Sequence, residues 1–211
     1  MCKTYIFDLD GTLLDTLSDL AAAVNFALRT HGMPEHSIDD VRRFVGNGVR
    51  KLMERAIPDG AANPQFDETF ATFRQYYMAH SLDTTRPYEG IPEALAALKA
   101  RGCRLAVVSN KMMAATQELC QHFFPDTIEV AIGENEAEGI RKKPAPDTVF
   151  AALKALGVGK EGAVYVGDSD VDIETARNSG LPCISVLWGF RDRDFLIQHG
   201  AKTFISDPGN L

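Results

Sequence analysis

Two pairs of aspartates each follow a short apolar run, an arrangement that brings carboxylates to the end of a strand. Asp8 and Asp10 come directly after one such run, and Asp168 and Asp172 follow another. Two carboxylates this close repel each other unless a cation holds both, and hard oxygen ligands suit Mg2+. An Asp-Gly turn explains the first pair alone, and helix capping explains part of the second. Neither explains acidic clusters at two strand ends, so the sequence predicts a magnesium site.

Cationic and hydroxyl side chains that suit a phosphate group lie in two further segments. Arg141-Lys142-Lys143-Pro144 is a basic segment before a predicted helix, and Ser109-Asn110 follows another apolar run. Lysine can bridge a carboxylate and a phosphoryl oxygen, and hydroxyl and amide groups can donate hydrogen bonds to phosphate. Taken alone, these segments are also explained as a solvated basic loop and an ordinary helix start.

The elements that must position these residues are short apolar strands alternating with helices. The predicted strands are 3–7, 104–108, 128–132, 163–166, 183–187 and 203–205, separated by helical patterns such as 92–99, 147–156 and 171–178. Continuously apolar strands that alternate with helices indicate a parallel sheet covered on both faces. The predicted fold class is therefore α/β, with a Rossmann-like parallel sheet core flanked by helices.

One long stretch interrupts this alternation. Residues 16–84 contain helical patterns and no convincing strand, with Leu17, Leu20 and Val24 on one face of a first helix and Ser37 as a predicted N-cap. A small α-helical cap domain at 16–84, inserted into a catalytic core formed by 1–15 and 85–211, is the domain organisation that this pattern predicts.

Composition excludes several classes of function. The chain has 211 residues, of which 45% are hydrophobic and 24% charged, as in ordinary globular proteins. Its formal net charge of -7 disfavours nucleic acid as a partner. There is no apolar stretch long enough to cross a bilayer, no leader-like start and no metal-type cysteine spacing. We therefore expect a cytoplasmic protein without a membrane partner; the sequence does not predict its oligomeric state.

The order of the motifs is more specific than any one of them. DLDGTLLDT from 8, Ser-Asn at 109, Lys-Pro-Ala-Pro from 143 and GDSDVDIETA from 167 resemble the haloacid dehalogenase-like hydrolase superfamily over essentially the whole chain. The resemblance implies that Asp8 forms an aspartyl-phosphate with a small phosphorylated metabolite, while Asp10 acts as general acid and base. The resemblance also implies that Ser109 and Lys143 hold the phosphoryl group and that Thr12 and Asn110 bind substrate. By the same resemblance, Mg2+ is bound by Asp8, Asp168 and the backbone carbonyl of Asp10. Ser169 and Asp172 are then expected to support this metal site.

The second aspartate and the inserted helices indicate a branch of this superfamily. Haloacid dehalogenases lack an aspartate at the position of Asp10, because a halide leaving group needs no proton, so a phosphatase is expected. The segment VGNGVRKLMERAI from 45 resembles the cap loop of phosphoglycolate phosphatases, as does Trp-Gly-Phe-Arg from 188. A plain helix–turn–helix also explains the cap segment. The candidate substrate-binding residues there are Gly46, Asn47, Gly48 and Arg50, with Lys51 and Arg191 as further candidates for a substrate carboxylate.

Other activities on the same fold stay open. Pyrophosphatases and sugar-phosphate phosphatases share the core motifs, and cap loops diverge readily. The β-phosphoglucomutases share the core, the cap and the Lys-Pro-Ala-Pro element, but they tend to have histidine where this chain has Leu20. A non-enzymatic binding protein on the same fold is disfavoured, since binding alone does not need Asp10.

Overall fold

The computed structural model describes residues 4–211, with the backbone alone at Ala137, so the predicted strand residue Lys3 lies outside the described residues. The chain forms two compact units, one with the described residues up to Leu14 and Pro87–Leu211, the other Asp15–Arg86. In chain order the elements are β1 (Thr4–Phe7), β2 (Leu14–Asp15), α1 (Leu17–Thr30), α2 (Ile38–Phe44), α3 (Val49–Ala56), α4 (Phe66–His80), β3 (Arg86–Pro87), α5 (Ile91–Ala100), β4 (Arg104–Met112), α6 (Met113–Phe123), β5 (Val130–Glu134), α7 (Asp147–Leu156), β6 (Ala163–Gly167), α8 (Asp170–Ser179), β7 (Cys183–Val186), α9 (Arg193–Gln198) and β8 (Thr203–Ile205). Short 3-10 helices lie at Gly60–Ala62, Glu136–Glu138 and Pro208–Asn210.

The larger unit is built on a six-stranded sheet with the strand order β5-β4-β1-β6-β7-β8. Every neighbouring pair in this sheet is parallel. The chain winds outward from β1 through β4 and β5, then returns to the other side of β1 for β6, β7 and β8. Open α/β sheets bind their ligands at such a reversal, outside the carboxyl ends of the strands. The predicted α/β fold class is confirmed.

Both faces of the sheet are covered, which explains why its strands are apolar throughout. In β1, Tyr5 and Phe7 join a buried cluster that includes Leu95 of α5. Ile6 points to the opposite face and joins a second cluster that includes Val149 of α7. Because both layers pack on β1, the chain leaves this strand at a buried and well-fixed point.

The smaller unit is helical, and its helix α1 packs against α4. Ser37 caps α2 as predicted: its Oγ accepts a hydrogen bond from the Asp40 N–H at 3.1 Å, and the Asp40 carboxylate accepts one from the Ser37 N–H at 3.1 Å. The predicted α-helical insert is confirmed. The short strands β2 and β3, at the two points where the chain passes from one unit to the other, form a two-stranded sheet.

Several elements differ from their predicted extents. Strand β4 continues to Met112 instead of ending at Val108, because the polar residues 109–111 are themselves buried, and its pairing with β5 shifts register there. Strand β5 begins at Val130, two residues later than predicted. Helices α6 and α9 have no counterpart among the predicted helices. Among the helices of residues 4–211, none is long and apolar enough to cross a membrane.

Candidate active site

Asp8 leaves the central strand where the neighbouring strands also present their carboxyl ends. The register pairs Phe7 with Val107 of β4 and with Val166 of β6, and the Asp8 N–H donates a hydrogen bond to the Val166 carbonyl at 2.9 Å. Residues that follow these three strands therefore meet at one edge of the sheet. Asp8 is buried at this edge.

Lys143 connects the two aspartate pairs. Its ammonium lies 2.8 Å from Asp8 Oδ1 and 2.8 Å from Asp172 Oδ1, and it donates a hydrogen bond to the Tyr165 hydroxyl at 3.1 Å. The Tyr165 hydroxyl donates to Asp172 Oδ1 at 2.9 Å. Burial by itself would lower the pKa of Lys143, but the charges of Asp172 and Asp8 outweigh burial and raise this pKa. The buried lysine is therefore charged.

Asp172 lies in the first turn of α8, and its carboxylate is held by the two residues that precede this helix. Its Oδ2 accepts hydrogen bonds from the N–H groups of Asp168 at 3.2 Å and Ser169 at 3.1 Å, and from the Ser169 hydroxyl at 2.6 Å. The Asp172 N–H donates back to Ser169 Oγ at 3.4 Å, which completes a capping box. The role predicted for Ser169 and Asp172, support of the metal site, stays a prediction, and this network is compatible with it.

Three carboxylates form a cluster that can hold a metal ion. One oxygen from each of Asp8, Asp168 and Asp172 lies within 4.8 Å of the others, and all three residues are buried. Burial, reinforced by the charge of Asp172, raises the pKa of Asp8 well above its usual value and that of Asp168 to about 7. Ionised carboxylates are thus disfavoured here unless a cation compensates them. The hard oxygen donors of this cluster fit a divalent metal ion.

The loop after β7 closes against Asp168. The Phe190 N–H donates a hydrogen bond to Asp168 Oδ2 at 2.7 Å, and the Trp188 indole N–H donates to the Thr12 carbonyl at 3.0 Å. A Cβ atom at position 189 would lie 2.3 Å from the Asp168 Cβ, so only Gly189 permits this approach. The Trp-Gly-Phe-Arg segment singled out in the sequence therefore forms one wall of the site.

Three residues predicted to contact substrate are buried and have partners within the protein. The Thr12 hydroxyl donates to Asp168 Oδ1 at 3.3 Å, and Ser109 Oγ accepts a backbone N–H of β4 at 3.2 Å. The Asn110 carboxamide pairs with the backbone of Lys143, donating to its carbonyl at 3.0 Å and accepting from its N–H at 2.8 Å. Asn110 thus anchors the loop that carries Lys143. The contacts of these residues with substrate stay predictions.

The predicted cap residues lie in the smaller unit, at the start of α3 and just before it. Gly46 and Gly48 have φ values of 127° and 86°. The Asn47 side-chain oxygen accepts a hydrogen bond from an arginine of α3 at 2.7 Å. The Arg50 guanidinium lies 3.6 Å from the Glu54 carboxylate. That these residues bind substrate stays a prediction.

Two residues of the site were not predicted. Lys111 Nζ lies 3.0 Å from Asp10 Oδ1, with side-chain exposures of 2% and 16%. Its available signal was its position directly after Ser109-Asn110 in the same motif. Tyr165 was also missed, although a tyrosine in an otherwise apolar buried strand calls for a partner for its hydroxyl.

Comparison with known proteins decides the family. The model of the haloacid dehalogenase-like hydrolases matches residues 5–186, most of the chain. The chain belongs to the haloacid dehalogenase-like hydrolase family. The acidic residues at the ends of β1 and β6 and the loop that carries Lys143 all lie within the matched range, so the resemblance seen in the sequence is confirmed.

Individual relatives agree with this assignment over most of their length. A phosphoglycolate phosphatase of Aquifex aeolicus is 36% identical over 190 residues, which is 89% of this chain and 86% of the relative. An N-acetylmuramic acid 6-phosphate phosphatase of Pseudomonas aeruginosa is 30% identical over 211 residues, covering 99% of this chain and 92% of the relative. A crystal structure of a protein from Lactobacillus delbrueckii subsp. bulgaricus superposes with a TM-score of 0.94 at 37% identity, covering 100% of this chain and 97% of that one.

Proposed function

We propose that this family member is a magnesium-dependent phosphatase that hydrolyses a small phosphomonoester through an aspartyl-phosphate on Asp8. One observation carries the proposal: the buried Lys143 ammonium lies 2.8 Å from Asp8 and is fixed on its other side by Asp172. A positive charge is thereby available beside the attacking carboxylate, where negative charge on the transferring phosphoryl group must be stabilised.

The proposed reaction has two displacements at phosphorus. In the first, an oxygen of Asp8 bonds to phosphorus, the ester P–O bond breaks, and protonated Asp10 gives its proton to the leaving alkoxide. In the second, Asp10 takes a proton from water, whose oxygen bonds to phosphorus while the bond to Asp8 breaks. Inorganic phosphate leaves, and both aspartates return to their starting states.

The residues that would hold Mg2+ are Asp8, Asp168 and the backbone carbonyl of Asp10. When bound, the ion would neutralise charge on the phosphoryl oxygens. Within the chain, the Thr12 hydroxyl and the Phe190 N–H orient the Asp168 carboxylate through bonds of 3.3 Å and 2.7 Å. These contacts would hold the Asp168 carboxylate in a fixed orientation for binding the metal ion.

The favoured substrate is phosphoglycolate, a phosphomonoester that also carries a carboxylate. Several relatives that are 31–36% identical to this chain are phosphoglycolate phosphatases, which supports the choice. In our proposal the backbone of Gly46, Asn47 and Gly48 approaches the leaving group, and Arg50 or Arg191 pairs with the carboxylate.

A second candidate is N-acetylmuramic acid 6-phosphate. The relative with that activity covers 99% of this chain, more than the Aquifex phosphoglycolate phosphatase does. The lactyl group of muramic acid also bears a carboxylate, so the two candidate substrates share a phosphomonoester and a carboxylate and differ in size.

A phosphate-release panel of matched pairs tests both proposals. Phosphoglycolate is compared with ethyl phosphate, and N-acetylmuramic acid 6-phosphate with N-acetylglucosamine 6-phosphate, each pair differing in the carboxylate. Pyrophosphate and glucose 1-phosphate test the pyrophosphatase and mutase alternatives. We expect Mg2+-dependent release, abolished by EDTA, and a preference of about tenfold or more in kcat/KM for one carboxylate-bearing member over its partner.

Each part of the proposal has an outcome that overturns it. Activity that survives EDTA contradicts the proposed dependence on a metal ion. If the phosphate group is retained and moves to another position of glucose, the proposal that the protein is a hydrolase is contradicted. Equal rates within both pairs contradict the carboxylate-bearing substrate class, while leaving phosphomonoester hydrolysis intact.

A further inference from the structure

We propose that Lys111 is a positioning residue that fixes the Asp10 carboxylate for proton transfer to the leaving group. The inference rests on the proposed function and extends it to a residue outside the predicted set. Lys111 Nζ lies 3.0 Å from Asp10 Oδ1, and the lysine side chain is 2% exposed. An exposed ion pair has little effect on orientation, whereas a buried ammonium needs a hydrogen-bond acceptor, and Oδ1 of Asp10 can accept from it both when the carboxyl group is ionised and when it carries the proton to be transferred.

The backbone of Lys111 is held from both sides. Its N–H donates a hydrogen bond to Ser109 Oγ at 3.2 Å, and its carbonyl accepts one from the Thr116 hydroxyl at 3.4 Å. The residue lies in β4, which pairs directly with β1, so its side chain reaches the segment after β1 from a fixed neighbour. The ammonium thus has a defined position from which to hold Asp10.

The two aspartates at the end of β1 are each held by a different buried lysine. Lys143 lies 2.8 Å from Asp8, and Lys111 lies 3.0 Å from Asp10. The proposed mechanism gives the aspartates different tasks, attack on phosphorus and proton transfer. Proton transfer requires a heavy-atom distance near that of a hydrogen bond, so the orientation of the Asp10 carboxylate sets its efficiency. Lys143 therefore serves the transferring group, and Lys111 serves the leaving group.

The dependence of rate on the leaving group tests this division. The measurement is single-turnover release of the leaving group with enzyme in excess, which isolates the first displacement from hydrolysis of the aspartyl-phosphate. The best alkyl ester of the substrate panel is compared with 2,4-dinitrophenyl phosphate, whose phenolate departs without a proton. In Lys111→Met we expect the single-turnover rate to fall by about 100-fold for the alkyl ester and by less than about fivefold for the dinitrophenyl ester. The reason is that only the alkyl leaving group needs a proton from a general acid.

A double-substitution cycle distinguishes positioning from direct phosphate binding. If Lys111 acts through Asp10, adding Lys111→Met to Asp10→Asn lowers the alkyl-ester rate by less than about twofold beyond Asp10→Asn alone. If Lys111 instead binds the phosphoryl group, the rates for both esters fall by the same factor, and the effects of the two substitutions on the alkyl-ester rate add. Lys154→Met, an exposed lysine of α7, is the control and should match the wild type. Should Lys111→Met fail to fold, Lys111→Gln carries the same test.

The outcomes separate this inference from the proposed function. A wild-type protein that hydrolyses none of the esters overturns the function itself. An active wild type whose Lys111→Met variant loses equally on both esters, or additively with Asp10→Asn, overturns the role of Lys111 alone.

Discussion

Two buried aspartates, one in each unit, experience opposite environments. Asp19, in helix α1 of the insert, accepts hydrogen bonds from the N–H groups and hydroxyls of Thr84 and Thr85, with its backbone contacts at 2.9–3.1 Å. Burial raises its pKa, but these hydrogen bonds outweigh burial and lower it. Asp8, at the edge of the large sheet, accepts one N–H of Leu9 at 2.7 Å and pairs with Lys143.

The difference lies in what stabilises the ionised carboxylate. Asp8 shares its surroundings with Asp172 and Asp168, and burial together with these charges raises its pKa despite Lys143. Asp19 is satisfied by neutral donors of its own unit and needs nothing further. A buried carboxylate whose charged form is left under-stabilised is typical of functional sites, whereas a fully hydrogen-bonded one is typical of a structural role.

The sharpest test of this contrast is Asp8→Asn. We expect kcat to fall by at least about 1,000-fold, because the amide cannot form the acyl phosphate. The metal-free variant should be no less stable than the wild type, since a carboxyl whose pKa is raised on folding destabilises the folded state when ionised. Phosphate release and urea unfolding in EDTA measure both effects. An Asp8→Asn variant that loses stability as well as activity would show that Asp8, like Asp19, stabilises the fold.

The same substitution at Asp19 should have the reverse effect. Asp19→Asn replaces an acceptor that is bonded to several donors, so we expect a loss of about 1.5–3 kcal/mol in the free energy of unfolding at neutral pH. Because the pKa of Asp19 is lowered on folding, its stabilisation is present above about pH 4 and fades as pH falls further. The gap between variant and wild type should therefore narrow in acid.

Urea unfolding at several pH values measures this gap, with Asp67→Asn as the matched control in the insert. The Asp67 side chain is 89% exposed, so that substitution should change stability by less than about 0.5 kcal/mol. A gap for Asp19→Asn that stays constant down to about pH 2 would show that the effect is one of shape and not of charge.

Binding of Mg2+ should depend on pH at the sheet edge. In the metal-free protein the pKa of Asp168 is raised to about 7. Between the ordinary pKa of an aspartate and about pH 7, the folded state therefore holds more protons than the unfolded state. Stability of the metal-free protein should therefore fall as pH rises through this window. Since Mg2+ competes with these protons, its thermal shift should be larger at about pH 8 than at about pH 5. Thermal unfolding with and without Mg2+ measures it, and Asp168→Asn should abolish most of the shift.

The smallest expected effect concerns Tyr165. Tyr165→Phe removes the hydroxyl that lies between Lys143 and Asp172, and we expect kcat to fall by about three- to tenfold, as for the loss of one buried hydrogen bond. The phosphate-release assay measures this, with Tyr76→Phe in the insert as control. An unchanged kcat would mean that Asp172 alone suffices to fix Lys143.

Much of the fold and part of the site could be predicted because the decisive signals are local. Continuous apolar runs between helical patterns determine a parallel sheet, and the position of a residue after such a run places it at the active edge. Asp8 and Asp168 were singled out in this way, whereas Lys143 was singled out as part of a basic segment before a predicted helix and by the family resemblance. Strand β4 was predicted too short, because a polar Ser-Asn-Lys sequence reads as the end of a strand when its buried partners are unknown.

By itself the sequence determined the order of the strands along the chain, the helical insert and the two acidic clusters, and its resemblance to a known family singled out Lys143. Only the tertiary structure decided which charge meets which. Lys111 reads as a solvated lysine and Tyr165 as a core residue until β4 and β6 pair with β1 and bring them to Asp10 and Asp172. The opposite pKa shifts of Asp19 and Asp8 were also decided by the tertiary structure, because the hydrogen-bond donors around Asp19 and the charges around Asp8 come from distant segments of the chain. Such differences depend on burial and on neighbours in space, and these exist only once the chain has folded.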